Sequence, residues 1–274
     1  MADRRITPAR ADLAAAHLKG QVDAARFAEG TDYCVVRGRI ALRAAPDSGA
    51  SQETELLHGE RFTVYEEKNG WCWGQAALDG YVGYAHLVSL CEASAPTHRV
   101  IALSTPLLTA PDVKSVTRDL FPLNAKLRID REEGGFARVQ GGYVALRHLA
   151  PIAARQADFV AVAERFLGVP YVWGGKTQAG CDCSGLIQTS LEAAGISVPR
   201  DTDMMEAKVG TAFSNRELKR GDLIFWKGHM GVMRDSHTLL HANAFHMEVF
   251  SEPLADAIAR IEPIAGPVTS VKRL

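Results

Sequence analysis

The feature that most restricts the fold of this chain is a duplication. Leu42 to Asp47 (LRAAPD) is echoed by Leu107 to Asp112 (LLTAPD), Glu66 to Trp71 (EEKNGW) by Arg131 to Phe136 (REEGGF), and Gly80 to Leu87 (GYVGYAHL) by Gly142 to Leu149 (GYVALRHL). The offsets are 65, 65 and 62 residues. A segment that repeats its apolar and turn positions at such a period folds as two similar units. Each copy is a run of short strand-like segments between turn residues with almost no helical period, which predicts a small antiparallel barrel. The copies span residues 31–92 and 97–152, with Ala93-Ser94-Ala95-Pro96 as the linker and Ala150-Pro151 closing the second. Trp71, Trp73, Tyr81 and Tyr84 fall in barrel core and rim positions, and some of them are candidates to line a ligand groove. Residues 1–30 read as an N-terminal arm or helix. Leu13, His17, Val22 and Phe27 are too scattered over Ala11 to Ala28 to define an amphipathic face.

The remaining region, 153–274, changes character. A helical pattern from Arg155 to Leu167 ends at Gly168, with Pro170 just beyond. Tyr171, Val172 and Trp173 form a strand-like triplet, followed by a glycine-rich turn from Gly174 to Gly180. Leu186, Ile187, Ser190, Leu191 and Ala194 then share one helical face, and Gly195 suits the position past a helix end. Asp182 or Ser184 can cap the start of that helix. Cys183 therefore sits at a helix N-terminus, where unpaired N–H groups and the helix dipole favour an anion, so an acidified thiol is expected. A nucleophilic thiolate needs a base beside it. Leu223 to Trp226 is an apolar strand run leading to His229, and Thr238 to Asn243 (TLLHAN) places His241 on a further strand. His229 suits the base, and His241 suits the third group that orients it. His237 and His246 are nearby competitors for that third place. Ser197 to Met205 reads as a loop and helix start, Met247 to Phe250 as a strand, and Leu254 to Ile261 as a short helix; beyond His241 no further chemistry is legible.

Composition narrows the function classes. The formal net charge is −1, with both signs mixed, so neither nucleic acid nor an anionic membrane surface is indicated as a partner. No apolar run approaches the length that crosses a bilayer. The first twenty residues lack a signal-peptide core, and the five cysteines (Cys34, Cys72, Cys91, Cys181 and Cys183) form no disulfide framework, so a cytoplasmic location is expected. Cys34, Cys72 and Cys91 read as small hydrophobes of barrel strands, and Cys181 as a packing residue. A zinc site from Cys181, Cys183, His229 and His241 is disfavoured because there is no second close-spaced ligand pair, and no cofactor is called for.

Three separated motifs, YVWGG…DCSGL, GDLIFW…HMGV and LLHA, resemble in order and spacing the NlpC/p60 family of bacterial cell-wall cysteine peptidases over roughly Asp158 to Phe250. The repeats resemble bacterial SH3-like modules. The resemblance implies an α+β architecture, with a papain-like NlpC/p60 domain after two all-β SH3-like barrels. It matches Cys183 to the nucleophile, His229 to the base, His241 to the third polar residue and Tyr171 to a tyrosine whose hydroxyl reaches the site. Met233 and Cys181 depart from the family's usual residues without removing a catalytic group. The resemblance further implies hydrolysis of the γ-D-Glu–diamino acid bond (meso-diaminopimelate or Lys) of peptidoglycan stem peptides. Relatives with SH3-like domains act on free L-Ala-γ-D-Glu-diamino acid fragments, as in wall recycling. On that pattern Arg200-Asp201-Thr202 lies near the substrate, and Asp182 pairs with the substrate ammonium, helped by Ser184. Glu53 or Glu55 and Tyr84 of the first barrel close the site. A monomer acting on a peptidoglycan-derived peptide is expected. The alternatives are a CHAP-type amidase, another papain-like hydrolase, or a non-catalytic wall-binding protein.

Overall fold

A computed structural model describes residues 3–213 and 217–274. The chain divides into two compact units, one up to Ala153 and one from Ala154 onward.

In the first unit, seven antiparallel strands follow one another: β1 (Thr31–Val35), β2 (Arg39–Arg43), β3 (Gln52–Leu57), β4 (Arg61–Lys68), β5 (Trp71–Ala76), β6 (Val82–His86) and β7 (Leu90–Glu92). They pair in the order β3-β2-β6-β5-β4-β1-β7. Val35 of β1, Leu56 of β3, Phe62 of β4 and Ala85 of β6 belong to one buried cluster. Strands from opposite ends of the sheet share that core, so the sheet curls on itself as a small barrel does. The second copy has two sheets. β8 (His98–Val100) lies between β11 (Lys126–Leu127) and β15 (Leu149–Pro151). β9 (Ser104–Leu108), β10 (Thr117–Pro122), β12 (Arg131–Glu133), β13 (Phe136–Val139) and β14 (Gly142–Ala145) pair in the order β10-β9-β14-β13-β12. Both sheets feed one core through Val100, Leu107, Phe121, Leu127 and Val144.

The two copies form one unit rather than two because a polar and aromatic seam joins them. The Gly38 amide donates to Asp119 (2.9 Å), the Lys126 amide donates to the His58 carbonyl (2.8 Å), and the His58 and Phe121 rings stack at 4.1 Å. Among its described residues the arm contains no α-helix: Ala14–Ala15 and Phe27–Ala28 pair as a two-residue parallel ladder around a 3-10 turn at Ala16–Leu18. Gly20, at φ 83°, turns the chain where a helix would have to continue.

The second unit opens with α1 (Phe159–Glu164), capped by the Asp158 carboxylate. A two-residue hairpin follows, β16 (Lys176–Thr177) with β17 (Gly180–Cys181). Then come α2 (Cys183–Ala193), α3 (Thr202–Lys208), β18 (Thr211–Ala212), β19 (Leu223–Trp226), β20 (His229–Met233), β21 (Thr238–Asn243), β22 (Glu248–Pro253), α4 (Leu254–Ala265) and β23 (Ser270–Arg273). The sheet order is β18-β23-β19-β20-β21-β22. Helix α4 packs Ala257 and Ile261 against Ile224, Trp226 and Leu239 of the sheet. Helix α2 lies between α1 and β20 and is buried on nearly every side. That explains why Gln188, Thr189 and Ser190 each bond a backbone carbonyl, at 3.4, 2.8 and 2.7 Å: polar groups taken out of water need partners. The expected strand at Tyr171–Trp173 does not form. Tyr171 makes an isolated bridge to Cys181, and the chain turns at Gly174 (φ 74°), leaving Trp173 65% exposed. No helix among the described residues is long and apolar enough to cross a membrane.

Candidate active site

Cys183 is the first residue of α2, and its helix is started by Asp182, whose carboxylate accepts from the Gly185 amide at 2.7 Å. The other oxygen of Asp182 accepts from the Gly174 amide at 2.8 Å, which ties the glycine-rich turn to the helix start. Arg200, 1% exposed, donates to both oxygens, at 2.9 and 2.7 Å, and also to Ser184 Oγ at 2.8 Å. Asp182 is thus a structural anion already neutralised by a bidentate guanidinium. Ser184 is engaged in the same network, its Oγ lying 3.3 Å from Asp182 Oδ1 and accepting from Arg200 at 2.8 Å.

Cys183 Sγ lies 3.8 Å from Thr202 Oγ1, at the head of α3, and within reach of the Met230 backbone on β20, one residue past His229. Burial, and next the Asp182 carboxylate, push the thiol up to about 11, more than the helpful contacts with Thr202, Met230 and Arg200 pull it down. This corrects the expectation of an acidified thiol. Being at a helix start is not enough: the Gly185 amide is spent on Asp182, and the sulfur is buried beside a carboxylate.

His229 begins β20, and its Nε2 lies 2.8 Å from His241 Nδ1 on the neighbouring β21. Nδ1 of His229 is the ring nitrogen left to act on a thiol. Burial first, then the neighbouring His241 and Arg260, hold His229 at about 3, so it is a neutral imidazole at neutral pH. His241 is fully buried and is likewise held below its ordinary value by burial, against the pull of Glu252. Gly231 makes room for it, since a Cβ there would stand 3.0 Å from His241 Cβ and 2.8 Å from Leu239 Cδ1. The competitors are elsewhere engaged: His237 is exposed with its Nδ1 on Ser236 Oγ, and His246 stacks on Phe250 at 3.9 Å.

Tyr171 is held by its amide on the Met247 carbonyl (2.8 Å). Burial, followed by proximity to Cys183 and Asp182, raises its phenol well above the usual value, so the hydroxyl stays a donor. Asp201 occupies the position before α3 without capping it. The other residues expected near substrate belong to the first unit. Glu55 is buried and ion-paired with Arg39, and Glu53 lies beside it on β3. Tyr84 accepts from Arg10 at 2.9 Å and lines a cavity of about 470 Å³ with Trp71, Trp73, Glu66 and Arg10. Arg10 of the arm donates to Glu66 of β4 at 2.6 Å, a pairing 56 residues apart that local spacing does not reveal. Glu252, which accepts from His241, is likewise unmarked by local spacing.

The NlpC/P60 family profile matches residues 168–259, and the bacterial dipeptidyl-peptidase Sh3 domain profile matches residues 42–90. Over 250 residues the chain is 30% identical to a Bacillus cereus protein named gamma-D-glutamyl-L-lysine dipeptidyl-peptidase, covering 78% of this chain and 71% of that one. The chain belongs to the NlpC/P60 family. Two other relatives are the Bacillus subtilis protein of the same name (28% identity, 69% of this chain and 72% of that one) and dipeptidyl-peptidase 6 of Lysinibacillus sphaericus (26%, 76% and 86%). Among solved NlpC/P60 structures, one from Bacillus cereus superposes with a TM-score of 0.75 at 20% identity, over 89% of this chain and 99% of that one, which shows that the fold is shared.

Proposed function

We propose that this chain is a cysteine peptidase that hydrolyses the γ-D-glutamyl–diamino acid amide bond of peptidoglycan stem peptides, on free fragments that begin with L-Ala-γ-D-Glu. The observation that carries the reading is a helix-start thiol packed against the strand that opens with one member of a bonded histidine pair. Cys183 abuts the strand that His229 begins, and His229 is bonded to His241. Both reacting groups are neutral at rest, so His229 Nδ1 takes the thiol proton as Sγ attacks the amide carbonyl. The tetrahedral oxyanion takes a hydrogen bond from the protonated Tyr171 hydroxyl and the Cys183 amide. Collapse breaks the C–N bond, and His229 gives its proton to the leaving amine of the diamino acid. Water, deprotonated by the same imidazole, hydrolyses the thioester and restores the thiol.

The choice of bond rests on likeness to relatives whose names state γ-D-glutamyl-L-lysine dipeptidyl-peptidase activity. A dipeptidyl enzyme counts from a free N-terminus, which suits released wall peptides, and hence cytoplasmic recycling, better than intact polymer. Cleavage of L-Ala-γ-D-Glu-L-Lys should exceed that of the same peptide carrying N-acetylmuramic acid on its alanine. Faster cleavage of the linked peptide would refute the requirement for a free amine.

A further inference from the structure

We infer that Glu252 is a positioning residue of this site: by accepting a hydrogen bond from the Nε2–H of His241, it dictates which nitrogen His229 presents to Cys183. The inference rests on the peptidase reading above and specifies how its base is set.

His241 and Glu252 are diagonal neighbours on paired strands. His241 stands opposite Phe250 and Leu239 stands opposite Glu252, so both side chains emerge on one face of the sheet. His241 Nε2 and Glu252 Oε1 are 2.7 Å apart. The same carboxylate oxygen accepts from Arg260 Nη2 of α4. From the elements packed around it, Glu252 is faced by His241 on β21, by Arg260 on α4, and at longer range by His246 in the turn before β22. Asn243 Nδ2 also approaches His241 Nε2, at 3.1 Å, and its Oδ1 is committed to the His246 amide at 2.8 Å.

These contacts decide the proton order. If His241 Nε2 were bare and accepted from Asn243, its lone pair would face an ionised oxygen at 2.7 Å, a repulsive arrangement in a buried place. Against burial, His241 and then Arg260 hold the Glu252 carboxyl below its usual value, so the oxygen is ionised, Nε2 carries the proton and Nδ1 is an acceptor. The 2.8 Å contact then requires a proton on His229 Nε2. A neutral imidazole with its proton on Nε2 has a bare Nδ1, the form able to take a proton from the thiol. In the opposite order His229 would offer Cys183 an N–H and could not act as its base. Arg260 balances the charge of Glu252, so the carboxylate acts through proton order more than through net field.

The test is Glu252→Met, which keeps volume and removes the acceptor, leaving Asn243 as the partner of Nε2 among the described residues and favouring the wrong order. Loss of the correct tautomer in a related serine-enzyme constellation costs about 10⁴-fold. A fall in kcat of about 100-fold or more on the free tripeptide is expected here, with KM little changed. Glu252→Gln keeps an acceptor oxygen and should recover most of the loss, which a merely structural role would not require. Nitrogen-15 spectra of the histidine rings in the wild-type protein should show His229 protonated on Nε2 and bare on Nδ1. Should Glu252→Met unfold through the unpaired Arg260, the double variant with Arg260→Met removes that cause, and the wild-type spectra stand apart from any variant. A kcat within twofold of wild type in a folded Glu252→Met protein, or a proton on His229 Nδ1, overturns the inference. Turnover by Cys183→Ala would instead sink the peptidase reading and leave the tautomer result standing.

Discussion

Replacing Arg200 with Met tests how the nucleophile is held. The guanidinium is 1% exposed and contributes bonds of 2.9 and 2.7 Å to Asp182 and 2.8 Å to Ser184, while the Asp182 side chain is 8% exposed. Removing one member of a buried ion pair costs about 3–5 kcal/mol, because the other charge stays desolvated without its partner. Asp182 retains the Gly174 and Gly185 amides, at 2.8 and 2.7 Å, so a loss near the lower end, about 3 kcal/mol, is expected. For a unit running from Ala154 to Leu274, that corresponds to a Tm lowered by about 10–15 °C. The assay is thermal unfolding followed by circular dichroism, with the double variant Asp182→Asn/Arg200→Met as control. Neutralising the stranded carboxylate should return a good part of the loss, a coupling of about 2 kcal/mol. Activity at 20 °C should also fall, by roughly 100-fold, because the pair fixes the turn from which Cys183 projects and small misplacements of a reacting atom are costly. A Tm within 3 °C of wild type, or strict additivity in the double variant, would refute the reasoning.

Two further outcomes follow from the charges at the site. Because burial and the Asp182 carboxylate raise the Cys183 thiol to about 11, the rate of inactivation by iodoacetamide should keep rising above pH 9, and Asp182→Asn should shift the curve toward lower pH; a plateau reached below pH 7 would show instead that the thiol is acidified. His229 is held at about 3 when folded against about 6.5 when unfolded, so between those values the unfolded chain binds the extra proton and folding stability declines as pH falls from 6.5 toward 3. His229→Gln should flatten that decline in urea melts taken across the window, and an unchanged slope would contradict it.

What the sequence disclosed and what it hid divide along the reach of the interactions. The duplicated motifs, the helix start at Cys183 and the strands carrying His229 and His241 are written in local spacing, and each could be placed before any coordinates. The direction of the Cys183 shift depends on which neighbours the packed chain brings to the sulfur, and spacing is silent about that. Glu252 lies far along the chain from Cys183 and meets His241 only through the diagonal of a strand pairing, so nothing in its own neighbourhood marks it. Arg200 belongs to a segment expected near substrate, but nothing in its spacing shows that it is buried in an ion pair with Asp182. The Tyr171–Trp173 triplet has strand composition, but the turn at Gly174 and the small hairpin after it override that propensity. The arm shows the converse, since its short parallel ladder is fixed by backbone partners that no periodicity reveals.

The most direct measurement is mass-spectrometric identification of the products formed from L-Ala-γ-D-Glu-L-Lys and its meso-diaminopimelate counterpart by the wild-type protein and by Cys183→Ala. Release of L-Ala-γ-D-Glu and the free diamino acid by the wild type, with none above background from a folded Cys183→Ala protein, is the expected result. Scission at the L-Ala–D-Glu bond, or equal turnover without the thiol, would contradict it.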